Sequence, residues 1–260
     1  MSGPSVSIII PVYNEEREIA GIIAAARAWL EPRGTAWEIL VVDNASTDRT
    51  AAVVEPLLED GHVRLLRNAV NRGKGHSVRR GMLEATGDLR LMCDADNAPS
   101  LASLDRLVEL ARDADVVIGS RSTGDAEVTR HQPLRRRIVG FGFLSLSRHL
   151  MSEPAQDIYC GFKLFRAEAA EAVFPRTRLE GWTFDVEVLA MARALGFRVR
   201  EAGIAWVNRP ASRLSIAGVL VPVTVELVRA RRHVRAEAAR ARAAGFTRSP
   251  DREPVAAREG

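Results

Sequence analysis

Lysine is almost missing from this chain. Of 37 lysine and arginine residues only Lys74 and Lys163 are lysines. A compact ammonium and a guanidinium fork are not interchangeable, so the places of these two residues are worth following. Cysteine is equally scarce: Cys93 and Cys160 cannot build a disulfide framework, and neither stands at zinc-ligand spacing. A reducing, cytoplasmic setting is the expectation. Aromatic residues make up 5% of the chain and do not alternate with basic ones. That excludes a stacking platform for nucleic acid, although the pI is near 9.6. No run of 18 or more apolar residues exists, and no charged segment followed by a long apolar core opens the chain. The expectation is a protein with neither secretory signal nor N-terminal membrane helix, touching a membrane only peripherally, at the inner face of the cell membrane.

What is present suits a soluble globular chain of 260 residues: 47% hydrophobic, 27% charged, formal net charge +4. Apolar runs at Val6–Val12, Glu38–Val42, Val63–Arg67, Leu89–Cys93 and Asp115–Gly119 read as strands. Between them Glu15–Leu30, Asp48–Glu59, Lys74–Ala85 and Leu101–Ala111 carry helical periodicity. Strands alternating with helices imply βαβ units, a mostly parallel sheet covered on both faces, and a ligand crevice beyond the carboxyl ends of the strands. Residues 121–137 read as an arginine-bearing loop entering a helix. Trp182–Leu195 reads as a helix, Arg198–Trp206 as a strand and Leu214–Arg242 as helical.

Polar residues gather at four strand ends: Pro11-Val-Tyr13-Asn14-Glu15, Asp43-Asn44-Ala45-Ser46-Thr47-Asp48, Asn71-Arg72-Gly73-Lys74-Gly75, and Asp94-Ala95-Asp96. In extended chain residues i and i+2 share a side, so Asp94 and Asp96 can face one divalent ion. Magnesium and manganese take such hard oxygen ligands, with substrate phosphates completing the shell. The alternative is a strand end turning into a solvated acidic loop. Asp43 suits either a ligand to a nucleobase or ribose, or an Asx turn. The glycine-flanked Lys74 suits a phosphate site at a helix start, although it lacks Walker spacing.

Together these segments resemble the family 2 glycosyltransferases with a GT-A, Rossmann-like fold. Downstream, Gln156-Asp157-Ile-Tyr-Cys-Gly-Phe-Lys163-Leu-Phe-Arg166 and Trp182-Thr-Phe-Asp185-Val-Glu187 are similar to those of the dolichyl-phosphate glucosyltransferases, with the dolichyl-phosphate mannose synthases next. The resemblance runs from Val6 to Leu214. It implies an inverting transfer of a hexose, glucose before mannose, from UDP-glucose or GDP-mannose to a polyprenyl or dolichyl phosphate. It implies that Pro11, Tyr13, Glu15, Asp43 and Lys74 hold the nucleotide sugar with Asp94, Ala95 and Asp96, the two aspartates also engaging Mg2+ or Mn2+. Arg121, Arg213, Arg130 and Arg135 would meet the acceptor phosphate, and Asp185, Asp157 and Arg121 would form the catalytic group. Arg213 stands where the family has lysine in Gly-Ser-Lys-Leu. Two other readings stay open: a soluble hydroxyl acceptor with Asp185 as base, and a non-catalytic nucleotide-sugar-binding module.

The expected organisation is a transferase domain over 1–213, a helical extension over 214–246 and a disordered tail over 247–260. The extension carries six arginines and one glutamate between Arg229 and Arg242. It suits an anionic membrane surface or a helix packed on the domain with a solvated basic face; Pro222 argues against one straight amphipathic helix.

Overall fold

The computed structural model describes residues 3–96, 98–124, 126–129, 134–207 and 220–246. In chain order they form β1 (Val6–Val12), α1 (Ile19–Leu30), β2 (Trp37–Asp43), α2 (Thr50–Val54), β3 (Val63–Arg67), α3 (Lys74–Glu84), β4 (Leu89–Cys93), α4 (Leu104–Leu110) and β5 (Val116–Ser120). There follow β6 (Glu127–Thr129), α5 (Leu134–Met151), β7 (Phe162–Arg166), α6 (Ala167–Val173), α7 (Phe184–Ala194), β8 (Val199–Gly203), β9 (Ala205–Val207) and α8 (Leu220–Ala243).

Seven strands make one sheet in the order β3-β2-β1-β4-β7-β5-β8. Every pairing is parallel except those of β7, which runs antiparallel between β4 and β5. Strands β6 and β9 form a separate two-stranded parallel sheet. The central strands are buried on both faces, so β1 reads VSIIIPV without polar alternation. Period two still sorts the side chains. Ile8, Ile10, Ile39 and Val41 pack towards α1 and α4, while Ile9, Leu40 and Val42 pack with Val78 and Met82 of α3.

The chain steps outward from β1 to β3 with α1 and α2 on one face. It then returns past β1 to β4 with α3 on the other, as right-handed crossovers require. The order therefore reverses between β1 and β4. There the strands also part: β1 pairs with β2 as far as Val12↔Asp43, but with β4 only to Ile9↔Met92. Pro11 lies beyond that second ladder. The opening between the two strand ends is the switch-point crevice expected for such a sheet.

The mostly parallel sheet is thus as expected, and β7 is the main departure. Five residues with a lysine at the second position carry no strong strand pattern, and the burial that makes them a central strand comes from neighbours distant in sequence. Helix limits also shift. Residues 15–18 form a turn before α1, and Pro56 ends α2 in a 3₁₀ turn at Glu55–Leu58. The expected single strand over 198–206 is two, β8 and β9. Helix α8 buries Val223, Leu227, Ala230, Val234, Ala238 and Ala241 against α5 and α7.

Helix α3 approaches β1 closely at Gly81, where a Cβ would fall 2.4 Å from Ile9 Cγ2. Gly81→Ala is expected to lower stability by about 1–3 kcal/mol through overpacking. A reduced urea midpoint with unchanged m-value would check this.

Candidate active site

The loops after β1 and β2 hold each other in place. Asn14, in the left-handed region at φ 58, accepts at Oδ1 from the amides of Thr47 at 2.8 Å and Asp48 at 3.3 Å. Its own amide donates to Ser46 Oγ at 3.0 Å, and the Glu15 amide donates to Thr50 Oγ1 at 2.8 Å. The Asp48 carboxylate accepts from the amides of Thr50 and Glu16, so it starts α2 and steadies the first loop together. Asp43 is fully buried; its Oδ1 accepts from the Ser46 amide at 2.9 Å and its Oδ2 faces Arg67 Nε at 3.3 Å. Its role in the structure is the turn. Pro11 lies in the wall of the crevice. Tyr13 is 45% exposed above it and offers a ring face.

Asp94 and Asp96 leave the end of β4 opposite these loops, with Ala95 buried between them. Lys74 Nζ donates to Asp94 Oδ2 at 2.7 Å. Burial pulls the Lys74 ammonium down, but Asp94 and Asp185 outweigh it and hold it above the usual lysine range. The Asp94 carboxylate lies directly on Gly161, where a Cβ would sit 1.8 Å from Oδ2, and the Asp94 amide donates to the Gly161 carbonyl at 2.9 Å. Any side chain at 161 would push Asp94 away. Across the crevice, burial and then the charges of Asp96, Glu18, Asp94 and Asp48 push Glu15 up to about 7. One ammonium does not neutralise this concentration of carboxylates, and a hard divalent cation would. Two aspartates with room left for substrate oxygens fit magnesium or manganese; among the described residues no set of three protein ligands forms a closed cage.

Two buried ion pairs floor the crevice on its other side. Arg121, just beyond β5, donates from its amide, Nε and Nη2 to Asp157 at 2.9, 2.7 and 2.7 Å. Burial opposes the Arg121 charge, but these bonds and the charge of Asp157 outweigh it, and Arg121 in turn holds Asp157 below the usual carboxylate range. The guanidinium also lies over Trp206, 5.0 Å from the ring centroid. Lys163, the second residue of β7, donates to Asp185 Oδ1 and to the Cys160 carbonyl, both at 2.5 Å. Burial pushes the Asp185 carboxyl up, against the pull of Lys163 and Lys74.

The segment before α7 seats on the start of α3. The Gly75 and His76 amides donate to the carbonyls of Gly181 and Glu180, both at 3.3 Å, and Arg72 pairs with Glu180. Gly73, at φ 100, and Gly75 permit this approach, since a Cβ on either would meet a carbonyl within 2.5 Å. Glu187 accepts the amides of Arg178 and Leu179 at 2.9 and 2.7 Å, pinning the same segment.

The structure therefore brings Tyr13, Glu15, Lys74, Asp94, Ala95 and Asp96 to the rim of one crevice, with Pro11 in its wall and Asp157, Arg121 and Asp185 alongside. Several of these groups already have partners within the protein. At the start of α3 the amides of Gly73, Gly75 and His76 are bonded, and Lys74 reaches Asp94 through its side chain. Asp185 is paired with Lys163, and Asp43 is buried in its turn. Arg130 and Arg213 lie outside the described residues, and Arg135 is placed only as a first-turn residue of α5. Sequence reading passed over Gly161, Glu180 and Glu201, whose carboxylate accepts the Gln156 and Asp157 amides. Only the invariable need for a glycine beside a carboxylate would have pointed to the first, and that need exists only in three dimensions.

A parallel-sheet domain whose switch-point crevice sets an aspartate pair and an ammonium against an aromatic rim is the architecture of a nucleotide-sugar transferase of the GT-A type. Residues 7–174 match the family model "Glycosyl transferase family 2", and the chain belongs to that family. Among its relatives, the dolichyl-phosphate β-glucosyltransferase of Dictyostelium discoideum is 32% identical over 239 residues, covering 86% of this chain and 73% of the relative. That of Saccharomyces cerevisiae is 30% identical over 242 residues, covering 85% and 72%. The fold is shared with glucosyl-3-phosphoglycerate synthase from Mycobacterium tuberculosis, crystallised with Mn2+, UDP and phosphoglyceric acid. There the TM-score is 0.67 at 18% identity, over 88% of this chain and 78% of that one.

Two outcomes follow. Lys163→Met leaves a buried carboxylate without its cation and should cost about 3–5 kcal/mol, whereas Lys163→Met with Asp185→Leu should regain most of it; urea unfolding of the three proteins checks this. For Glu15, a folded-state pKa of about 7 against an ordinary 4.5 means the folded state binds the proton more tightly. That contribution is present at low pH and lost as pH rises through 7. Without divalent cations, Glu15→Gln should match the parent Tm at about pH 4 and exceed it at about pH 8, the difference growing from about pH 4.5 to about pH 7.

Proposed function

We propose that this protein transfers glucose from UDP-glucose to a polyprenyl phosphate with inversion, working peripherally at the cytoplasmic face of the cell membrane. The relatives named dolichyl-phosphate β-glucosyltransferase support the donor sugar and the acceptor class over most of the chain. The observation that carries the choice of acceptor is the state of Asp185. It is 3% exposed and tied to Lys163, so it is a poor base for a hydroxyl. A phosphate monoester, with a second pKa near 6, is already largely dianionic at neutral pH and needs no base.

On this reading the nucleoside lies against Pro11 and Tyr13 beside Glu15, with the Asp43 turn keeping the loop shaped. Lys74 neutralises charge on the diphosphate, and the Asp94–Asp96 segment lies against it. A divalent cation, magnesium or manganese, held by Asp94 and Asp96 would stabilise the charge that builds on the departing nucleoside diphosphate. Arg121, aimed by Asp157, draws the acceptor phosphate in, and Arg130, Arg135 and Arg213 are the further cations assigned to it. Such preset charge lowers the barrier because it needs no rearrangement during the reaction. Residues 1–213 act as the transferase domain and 214–246 as its extension. No described helix is long and apolar enough to cross a membrane, which supports a peripheral mode of contact.

Labelled UDP-glucose and GDP-mannose, each offered with polyprenyl phosphate or with soluble hydroxyl acceptors, test this directly. The expected product is a β-glucosyl lipid formed from UDP-glucose. Transfer only to soluble acceptors would reject the lipid reading. Asp96→Asn and Lys74→Met should each lower kcat on the order of 10²-fold, with the Tm within a few degrees of the parent.

A further inference from the structure

At the edge of the sheet opposite the crevice, β8 begins, α7 ends and the last turns of α8 pack beside them. A cleft of about 730 Å³ opens there, with Arg198, Arg200 and Arg242 above Leu195, Phe197 and Phe246. Asp113 is its one acid. Arg193 also lines it but is held by Glu153 at 2.9 Å. A smaller cleft of about 310 Å³ adjoins along the flank of α8, sharing Arg193 and adding Arg231 and Arg235. Among the described residues Arg198, Arg200 and Arg235 have no carboxylate partner, so positive charge here is uncompensated. The outward side of α8 continues it with Arg229 and Arg232, while Arg240 is paired with Glu237.

The apolar face of α8 is already spent on α5 and α7. Of its residues from Val223 on, Val225 is the exposed large apolar one, and the rest of what the helix offers outward is mainly charge. Its 24 residues extend for about 36 Å. Near its start Thr183 donates to Glu226 beside the first turn of α7, close to Asp185, and its end reaches the arginine cleft. A flat anionic surface along this side would meet both.

We propose that the arginine clefts and the outward side of α8 together dock the protein on an anionic phospholipid bilayer. Headgroup phosphates meet Arg198, Arg200 and Arg242, and the apolar shoulder of the headgroup rests on Phe197 and Phe246. The choice of a lipid over a nucleic acid rests on the polyprenyl-phosphate reading and on this apolar floor, which a phosphodiester backbone would not use. Binding at the headgroup level is electrostatic and screened by salt.

Co-sedimentation of the full chain with vesicles tests the surface without any activity. Phosphatidylcholine vesicles doped with phosphatidylglycerol should bind it, since an anionic surface attracts such basic residues, and pure phosphatidylcholine should not. Arg198→Ala with Arg200→Ala should weaken binding on the order of 10-fold. Arg198→Lys with Arg200→Lys should keep it, as should the charge-matched pair Arg17→Ala and Arg49→Ala, exposed in the loops after β1 and β2. Equal binding to both vesicle types, or equal loss in the charge-matched control, would overturn the proposal. So would inorganic phosphate at millimolar concentration saturating the cleft and releasing the vesicles at constant ionic strength, or duplex DNA outcompeting them. Transfer to a short, detergent-dispersed polyprenyl phosphate separates the two readings: the Arg198 and Arg200 variants should keep it. Its absence in the parent protein would remove the lipid-acceptor reading while leaving the vesicle result to stand alone.

Discussion

An ammonium and a carboxylate enclosed in a protein core must find each other, and the Lys163–Asp185 pair is the constraint on which this site is built. Lys163 stands near the start of β7, the one antiparallel strand in the sheet. Satisfying it draws the first turn of α7 onto the strand ends, and with it the segment 178–184. That segment covers the start of α3 and directs Lys74 towards Asp94. The preceding residues of β7 place Gly161 under the Asp94 carboxylate. One buried pair thus links the donor side of the crevice to the acceptor side. Such a pair adds little net stability over an apolar substitute; what it supplies here is position.

The crevice separates its charges by function. Acidic groups collect between β1 and β4, where burial and its neighbours push Glu15 up; in the proposed function a cation with a diphosphate would complete the balance. Basic groups that are already paired, Arg121 with Asp157 and Lys163 with Asp185, lie on the far side and are held rigid by those pairs. Preorganisation of this kind replaces mobile water around a charged acceptor with fixed donors. The exposed tyrosine at 13 and the buried aspartate at 43 show the same division on the nucleotide side, one presenting a surface and the other shaping the loop beneath it.

Much of this was legible beforehand. Continuous apolar runs identified β1, β2, β4 and β5 because strands buried on both faces cannot alternate. The strand-end location of Asp94 and Asp96 followed from the same pattern, and the rarity of lysine drew notice to both residues that hold the site's aspartates. Strand β7 was not legible as a strand, since its length and lysine give no period. The occupied amides of α3 were hidden for another reason: their partners lie more than 100 residues away, and glycine next to lysine reads alike whether it cradles a phosphate or another loop.

The sequence by itself determined the layered α/β architecture, a ligand crevice at the carboxyl ends of the strands, and the residue types that reach it, because periodicity and strand-end chemistry are local properties; the strand order that puts the switch point between β1 and β4 came from the tertiary structure. Only the tertiary structure decided what each polar group is bonded to. It paired Lys74 with Asp94, Lys163 with Asp185 and Arg121 with Asp157, enclosed Asp43, and left the arginines around the start of β8 uncompensated. Those outcomes depend on which distant segments are brought within about 3 Å, a matter of packing that no short stretch of chain encodes.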